Sequence, residues 1–343
     1  MATLALTGIA GGCLVSGQLI TCVTKTTPTS QWVPRPFWAE RYSSTTTATI
    51  ATTSWTARGH TLVQLRPTAA ALAGQVNVQT TQRTTTLTAS PGERLGVQAV
   101  MGGGWLAVTA VGIDEHYHIL LFRETPSGWL RHTTLHQPTE PRLGTLLAWD
   151  DPDTLVAAGA SSLYIYRALH GTWLLIQQYT TSTTPLLALT IHQSYLYGLT
   201  TEGYWQRALW GEEEETLTTT NGSSSSSSSG GGSSITVGSG HVVLAYPTGA
   251  GRVEVWHKGQ VEAEWTGPTP HSHLGSSIVI LNPHEIWVGS PGTVHRFRRH
   301  RQVWHPTAVI ENPLAGWGTW LHAADLHEVW VGHDQGVERW CQV

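Results

Sequence analysis

Lysine is nearly missing from this chain: Lys25 and Lys258 are the only two among 19 basic residues. Charge of either sign is scarce, at 12% of residues, where a soluble domain carries about a quarter. The balance of −4 supplies no field that would draw the chain to nucleic acid or to an anionic membrane. Cys13, Cys22 and Cys341 are too few for a disulfide framework. Cys13 and Cys22 are placed to pair across a hairpin, although free thiols are the favoured reading. No apolar run reaches the length of a membrane span. The apolar start, "MATLALTGIAGGCLVSGQLITC", has no basic residue ahead of it, so neither a signal peptide nor a transmembrane segment is expected and the protein reads as soluble. Helical periodicity is almost absent. Nucleophile elbow, HExxH, Walker loop and Rossmann fingerprint are all missing, so the chain reads as a non-enzyme with no cofactor.

What the chain has is threonine, glycine and tryptophan. Its 17 tryptophans, its 36 glycines and the 22 threonines of its first 90 residues suit pleated strands joined by tight turns. The order in which they come is periodic. "LGVQAVMGGGWLAVTAVG" begins at Leu95, "LGTLLAWDDPDTLVAAGASSLYIYRALHGTW" at Leu143 and "LLALTIHQSYLYGLTTEGYW" at Leu186. Further units begin at Ile235, Leu274 and Ala315, the last two containing "EIWVGSPGTVHRFRRHRQVW" and "EVWVGHDQGVERW". Each gives a strand after a small-residue start, a turn, an apolar strand, a second turn and an aromatic-bearing strand. Four short strands in about 40–50 residues is the period of a β-propeller blade. Residues 47–67 and 74–89 supply one more unit. The expectation is an all-β propeller, one domain over residues 1–343, with seven four-stranded blades. An eighth blade from residues 1–45 is the alternative. The last unit has room for three strands, so a strand from residues 3–23 is expected to complete it and close the ring. Residues 211–234, "GEEEETLTTTNGSSSSSSSGGGSS", bury too little to order themselves and read as a disordered loop insertion.

The pattern of Leu-Gly, an apolar strand, "VGSPG", and "VHRFRR" followed by Trp resembles the FG-GAP-type repeat of integrin-alpha-like propellers. "LVAAGASSLYIYRALHGTW" (155–173) is the nearest stretch. The likeness covers residues 95–343 loosely and implies a fold but no activity. The calcium loops of that family have no counterpart here. "DDPDT" (Asp150, Asp151, Asp153) lacks the glycine and the spacing, so no calcium is expected.

Candidate binding residues follow from the repeat. Trp129, Trp173, Trp287, Trp304, Trp330 and Trp340 end strands and read as wedge-filling rings between blades. Trp105 is a weaker rim candidate, and Trp317 and Trp320, in "GWGTW", are the better rim positions for stacking on a ligand. "HRFRRHR" gathers Arg296, Arg298, Arg299 and Arg301. On a strand Arg296 and Arg298 share one face, with Arg299 and Arg301 assigned to the turn. The cluster suits an acidic protein partner or the acidic 211–234 loop better than nucleic acid. His116 with His118, and His271 with His273, have metal-like spacing but lack a third ligand, so no metal is expected. These readings converge on a structural or protein-interaction propeller. Its partners are expected to be other proteins of a larger assembly, of the kind found in a virion or surface layer. A glycan-binding lectin using rim tryptophans is the alternative.

Overall fold

Four of the repeats start where the chain reverses at a left-handed glycine. Gly96, Gly144, Gly275 and Gly318 have φ between 81° and 98°, a region that a side chain bearing Cβ seldom enters. The residue before each is buried: Leu95, Leu143, Leu274 and Trp317. The N–H groups of Gly144, Gly275 and Gly318 then donate to the carbonyls of Ala158, Gly289 and Gly332, at the end of the second strand. A second glycine in the repeat is demanded by close approach. A Cβ on Gly289, in "IWVG", would stand 1.9 Å from the carbonyl oxygen of Gly318 in the next repeat.

The computed structural model describes residues 3–9, 11–16, 19–22, 32–35, 54–66, 74–80, 83–150, 152–180, 185–201, 203–210, 216–219, 233–334 and 336–342. Every regular element among them is a β-strand, and no helix long and apolar enough to cross a membrane is found. The architecture is all-β, with seven antiparallel blades of the propeller type. Four of them lie in one compact unit, residues 44–224. Blade 1 spans residues 54–88, blade 2 spans 94–135, blade 3 spans 146–180 and blade 4 spans 186–219. The second unit, residues 1–43 with 225–343, holds blade 5 (234–266), blade 6 (277–311) and blade 7 (320–342).

Blade 7 has three strands of its own, and its fourth is Trp32–Arg35, paired antiparallel to Gly336–Gln342. The stretch 3–23, expected in that place, does something else. Thr3–Ile9, Gly11–Ser16 and Leu19–Cys22 form an antiparallel meander whose last strand pairs with Val303–Glu311 of blade 6. The N-terminal strands thus extend blade 6 and complete blade 7, and no eighth blade forms from them. Cys13 and Cys22 stand opposite one another in register. Of the 211–234 insertion, Thr216–Thr219 is the outer strand of blade 4; residues 211–215 and 220–232 lie outside the described residues.

Packing follows the pleat. The second strands of blades 2, 3 and 6, Trp105–Val111, Thr154–Ala158 and Glu285–Ser290, are buried along their whole length, because both of their faces meet neighbouring blades. The tryptophans near the start of outer strands fill the wedges. Trp129 joins the apolar cluster shared by blades 1 and 2, Trp173 that of blades 2 and 3, and Trp304 that of blades 5 and 6.

Candidate functional site

The first residue of a second strand is surrounded by core yet is often polar. Thr154, His241, Glu285 and Glu328 occupy this place in blades 3, 5, 6 and 7 and are only 2–4% exposed. A buried carboxylate must be paired or it will not stay charged. In blade 6 the strand period puts Glu285 and Trp287 on one face, and register sets Trp287 opposite Arg296 and Glu285 opposite Arg298. Trp287 Nε1 donates to Glu285 Oε1 at 2.9 Å, Arg296 Nη2 to Oε2 at 3.0 Å, and Arg298 Nε to Oε2 at 2.9 Å. Burial alone would raise the Glu285 pKa, but the Arg296 guanidinium, with help from Trp287 and Arg298, holds it below the usual carboxylate value. Blade 7 repeats the device: Glu328 accepts from Trp330 Nε1 and from Arg339 Nη2, the latter at 2.6 Å.

This pairing places the expected basic cluster. Arg296 is 7% exposed and occupied by Glu285. Arg298 shares the same carboxylate, as expected for a common face. Arg299 lies within the strand Thr293–His300 rather than the turn, and its Nη2 donates to Glu262 of blade 5 at 2.7 Å. Arg301 does occupy the exposed turn, with φ of 48°. The four arginines therefore do not form one surface: three are committed to internal carboxylates. The acidic 212–215 run, offered as a partner for them, lies outside the described residues.

Nor do the rim tryptophans stand together. Trp317 is fully buried and donates from Nε1 to Glu338 at 2.9 Å. The physical reason is the repeat itself, since Trp317–Gly318 stands where the other units have Leu–Gly. Trp320 is half-buried and stacked on His322. Trp105 is buried edge-on against Trp173. Among the histidine pairs, His118 Nε2 lies 3.3 Å from Glu93 and His116 Nδ1 lies 3.8 Å from Asp114. Both border an open depression of about 490 Å³. His273 bonds the Pro247 carbonyl at 2.9 Å. Of the aspartates in "DDPDT", Asp153 pairs with Arg167 at 3.3 Å, and Asp151 lies outside the described residues.

The described residues do contain one three-ligand cluster, at positions that sequence reasoning passed over: His241, His257 and Glu262 of blade 5, whose candidate ligand atoms lie within 4.8 Å of one another. Where blades 6 and 7 bury a glutamate, blade 5 buries His241. Its register partner across the hairpin is His257, and Glu262 follows on the outer strand Gln260–Thr266. His241 Nδ1 lies 3.0 Å from the Ser239 carbonyl, and His257 Nδ1 lies 2.9 Å from that of Gly240. A carbonyl only accepts, so each Nδ1 carries the proton and each neutral ring keeps its lone pair on Nε2. His241 Nε2 is buried without a hydrogen-bond partner, although Glu262 Oε2 is 3.4 Å away. Burial pushes the His241 pKa below the usual imidazole value; Glu262 opposes that push, and Arg299 and His257 add to it. The signal was legible in "HVVLAYPTGAGRVEVWHKGQVE": two histidines bracket one hairpin, and a glutamate follows a Lys-Gly turn.

No family model matches the chain, and a search of curated proteins finds no match. Solved structures do match. A chain in the crystal structure of the mitotic checkpoint complex is 11% identical, with a TM-score of 0.59, covering 82% of this chain and 86% of that one. BamB from Moraxella catarrhalis is 11% identical, with a TM-score of 0.56, over 100% and 99% of the two chains. The WD40 domain of Toxoplasma gondii coronin is 9% identical, with a TM-score of 0.57, over 84% and 80%. At such identities the likeness is one of fold. It supports the seven-bladed propeller and gives no support to the integrin-alpha-like repeat in particular.

Proposed function

We propose that this protein is a non-enzymatic protein-interaction scaffold and that the outer strand of blade 3 is its docking edge. The supporting observation is the strand Thr172–Thr180, "TWLLIQQYT". It stands at the end of its sheet, and Leu174, Leu175 and Ile176 are each 42–45% exposed. An unpaired apolar edge is a template for an added strand, and proteins ordinarily blunt such edges with charge, proline or a covering segment. Among the described residues, three other outer strands are blunted in those ways. Blade 2 places Arg131 and His132 there, blade 5 places Glu262 and Glu264, and blade 6 has Pro306 and the pairing with Leu19–Cys22. The blade 3 strand contains neither charge nor proline, and no described strand pairs with its outer edge. Its occupant is an extended segment of a partner protein, whose main chain would pair with the free edge while apolar side chains cover Leu174 and Ile176. That a fold neighbour comes from the structure of a complex agrees with this reading.

The test is cross-linked affinity purification from the native source with the wild-type chain and with Leu174→Glu/Ile176→Glu. One or two proteins should co-purify stoichiometrically with the wild type and be lost from the variant, with the thermal midpoint unchanged. Their identity decides between a virion and a surface layer as the assembly. Equal recovery with the variant would overturn the docking edge. Recovery of glycoproteins alone, removable by a sugar wash, would overturn the scaffold in favour of the lectin.

A further inference from the structure

We propose that His241, His257 and Glu262 of blade 5 form a binding site for a divalent zinc-class ion, held by two imidazole Nε2 atoms and one carboxylate oxygen. The set is of the two-histidine, one-carboxylate kind that suits zinc, with a fourth position open to water. The hairpin register sets the two histidines opposite one another, and Glu262 sits at the bulge of the outer strand, between Val261 and Ala263, where the register shifts.

Three further observations support it. Both rings are fixed in the same tautomer by a carbonyl at Nδ1, the arrangement by which proteins orient metal-binding imidazoles. His241 is 2% exposed and directs a bare nitrogen toward Glu262 without a hydrogen bond. A lone pair facing a carboxylate oxygen is repulsive, and a cation between the two removes the repulsion. Finally, the His241 Nε2 to Glu262 Oε2 separation is 3.4 Å. Metal–ligand bonds of about 2.0–2.1 Å in a tetrahedron place neighbouring ligand atoms roughly 3.3 Å apart.

Glu262 is in turn oriented from blade 6. Arg299 Nη2 holds Oε1 at 2.7 Å, and Trp304 Nε1 approaches Oε2 at 3.3 Å. The guanidinium fixes the carboxylate so that Oε2 faces the histidines, while its positive charge keeps the site from being a very tight one. An ion here would tie both strands of the hairpin to the outer strand and, through Glu262, to the neighbouring blade.

Untagged full-length protein is stripped with a chelator, passed through a desalting column and titrated with zinc chloride by calorimetry. Cobalt chloride is used in parallel to read coordination from its visible absorption. Of the ligands, His257 is the one to vary, because it is less buried than His241 and His257→Gln leaves the core intact. The expected result is one equivalent of zinc bound, a higher thermal midpoint and an intense tetrahedral cobalt spectrum. Affinity should fall by at least about 100-fold in His257→Gln and in Glu262→Gln, since losing an outer-shell partner already costs about 10–100-fold and these are direct ligands. With 18 histidines in the chain, binding elsewhere is the competing outcome. Zinc binding by His257→Gln equal to that of the wild type overturns the proposal, as does a wild type that takes up no zinc.

Discussion

Blades 3 and 6 share one backbone pattern and fill it differently. At equivalent places blade 3 has Thr154, Val156 and Ile165, where blade 6 has Glu285, Trp287 and Arg296. In the first set Val156 and Ile165 join the apolar cluster shared with blade 4. The second buries an ion pair capped by an indole N–H. Both satisfy the repeat, so the propeller pattern fixes where a side chain sits and leaves its chemistry free. A buried ion pair contributes little net stability over an apolar replacement, yet losing one partner strands the other. Blade 6 is therefore the more brittle of the two, and blade 5, with His241 in the glutamate position, carries the same place toward ligand chemistry.

The largest expected effect tests that brittleness. Glu285→Ala leaves Arg296 buried and unpaired and should cost about 3–5 kcal/mol, whereas Thr154→Ala at the matching position of blade 3 should cost about 1 kcal/mol. Urea unfolding of the two variants measures this, and equal losses would remove the distinction between the blades.

A second effect contrasts two buried glutamates through pH. The Glu285 pKa is held below its unfolded value, so the stability it contributes is present above about pH 4.3 and lost as pH falls through the folded value. For Glu254 burial raises the pKa, against bonds from Trp256 and Arg252. Its folded state binds the proton more readily, so its contribution is fully present below the unfolded value and falls as pH rises through the folded one. Glu285→Gln should therefore lose stability relative to wild type at pH 7 and converge with it on acidification. Glu254→Gln should match or exceed wild type at pH 7. Thermal midpoints from pH 3 to 8 check both signs, and slopes of the same sign would break the contrast.

The smallest effect lies within the basic stretch. Arg299→Ala removes a guanidinium from Glu262 and should cost about 1–3 kcal/mol, while Arg301→Ala, in the exposed turn, should stay within about 0.5 kcal/mol. Calorimetric midpoints of the two variants separate a committed arginine from a solvated one.

The blade period was legible because it is a local property. A left-handed glycine after a buried residue, an apolar strand and a tryptophan near the start of the outer strand recur in the sequence as they do in the fold. Trp317 shows the limit of that reading. In isolation "GWGTW" looks like a rim of indoles; in register with Leu95, Leu143 and Leu274 its first tryptophan is a core residue. The arginines show another limit, since "HRFRRHR" is a charged patch only until the acids that meet it from other strands are known.

By itself the sequence determined the all-β class and the blade period, because alternation and glycine placement act over a few residues; it left seven and eight blades both open. Only the tertiary structure decided which strand completes blade 7, which charges are neutralised inside, and that His241, His257 and Glu262 meet. Those outcomes depend on pairing register and on packing between residues far apart in the chain. A one-residue change of register would send each of those side chains to the opposite face.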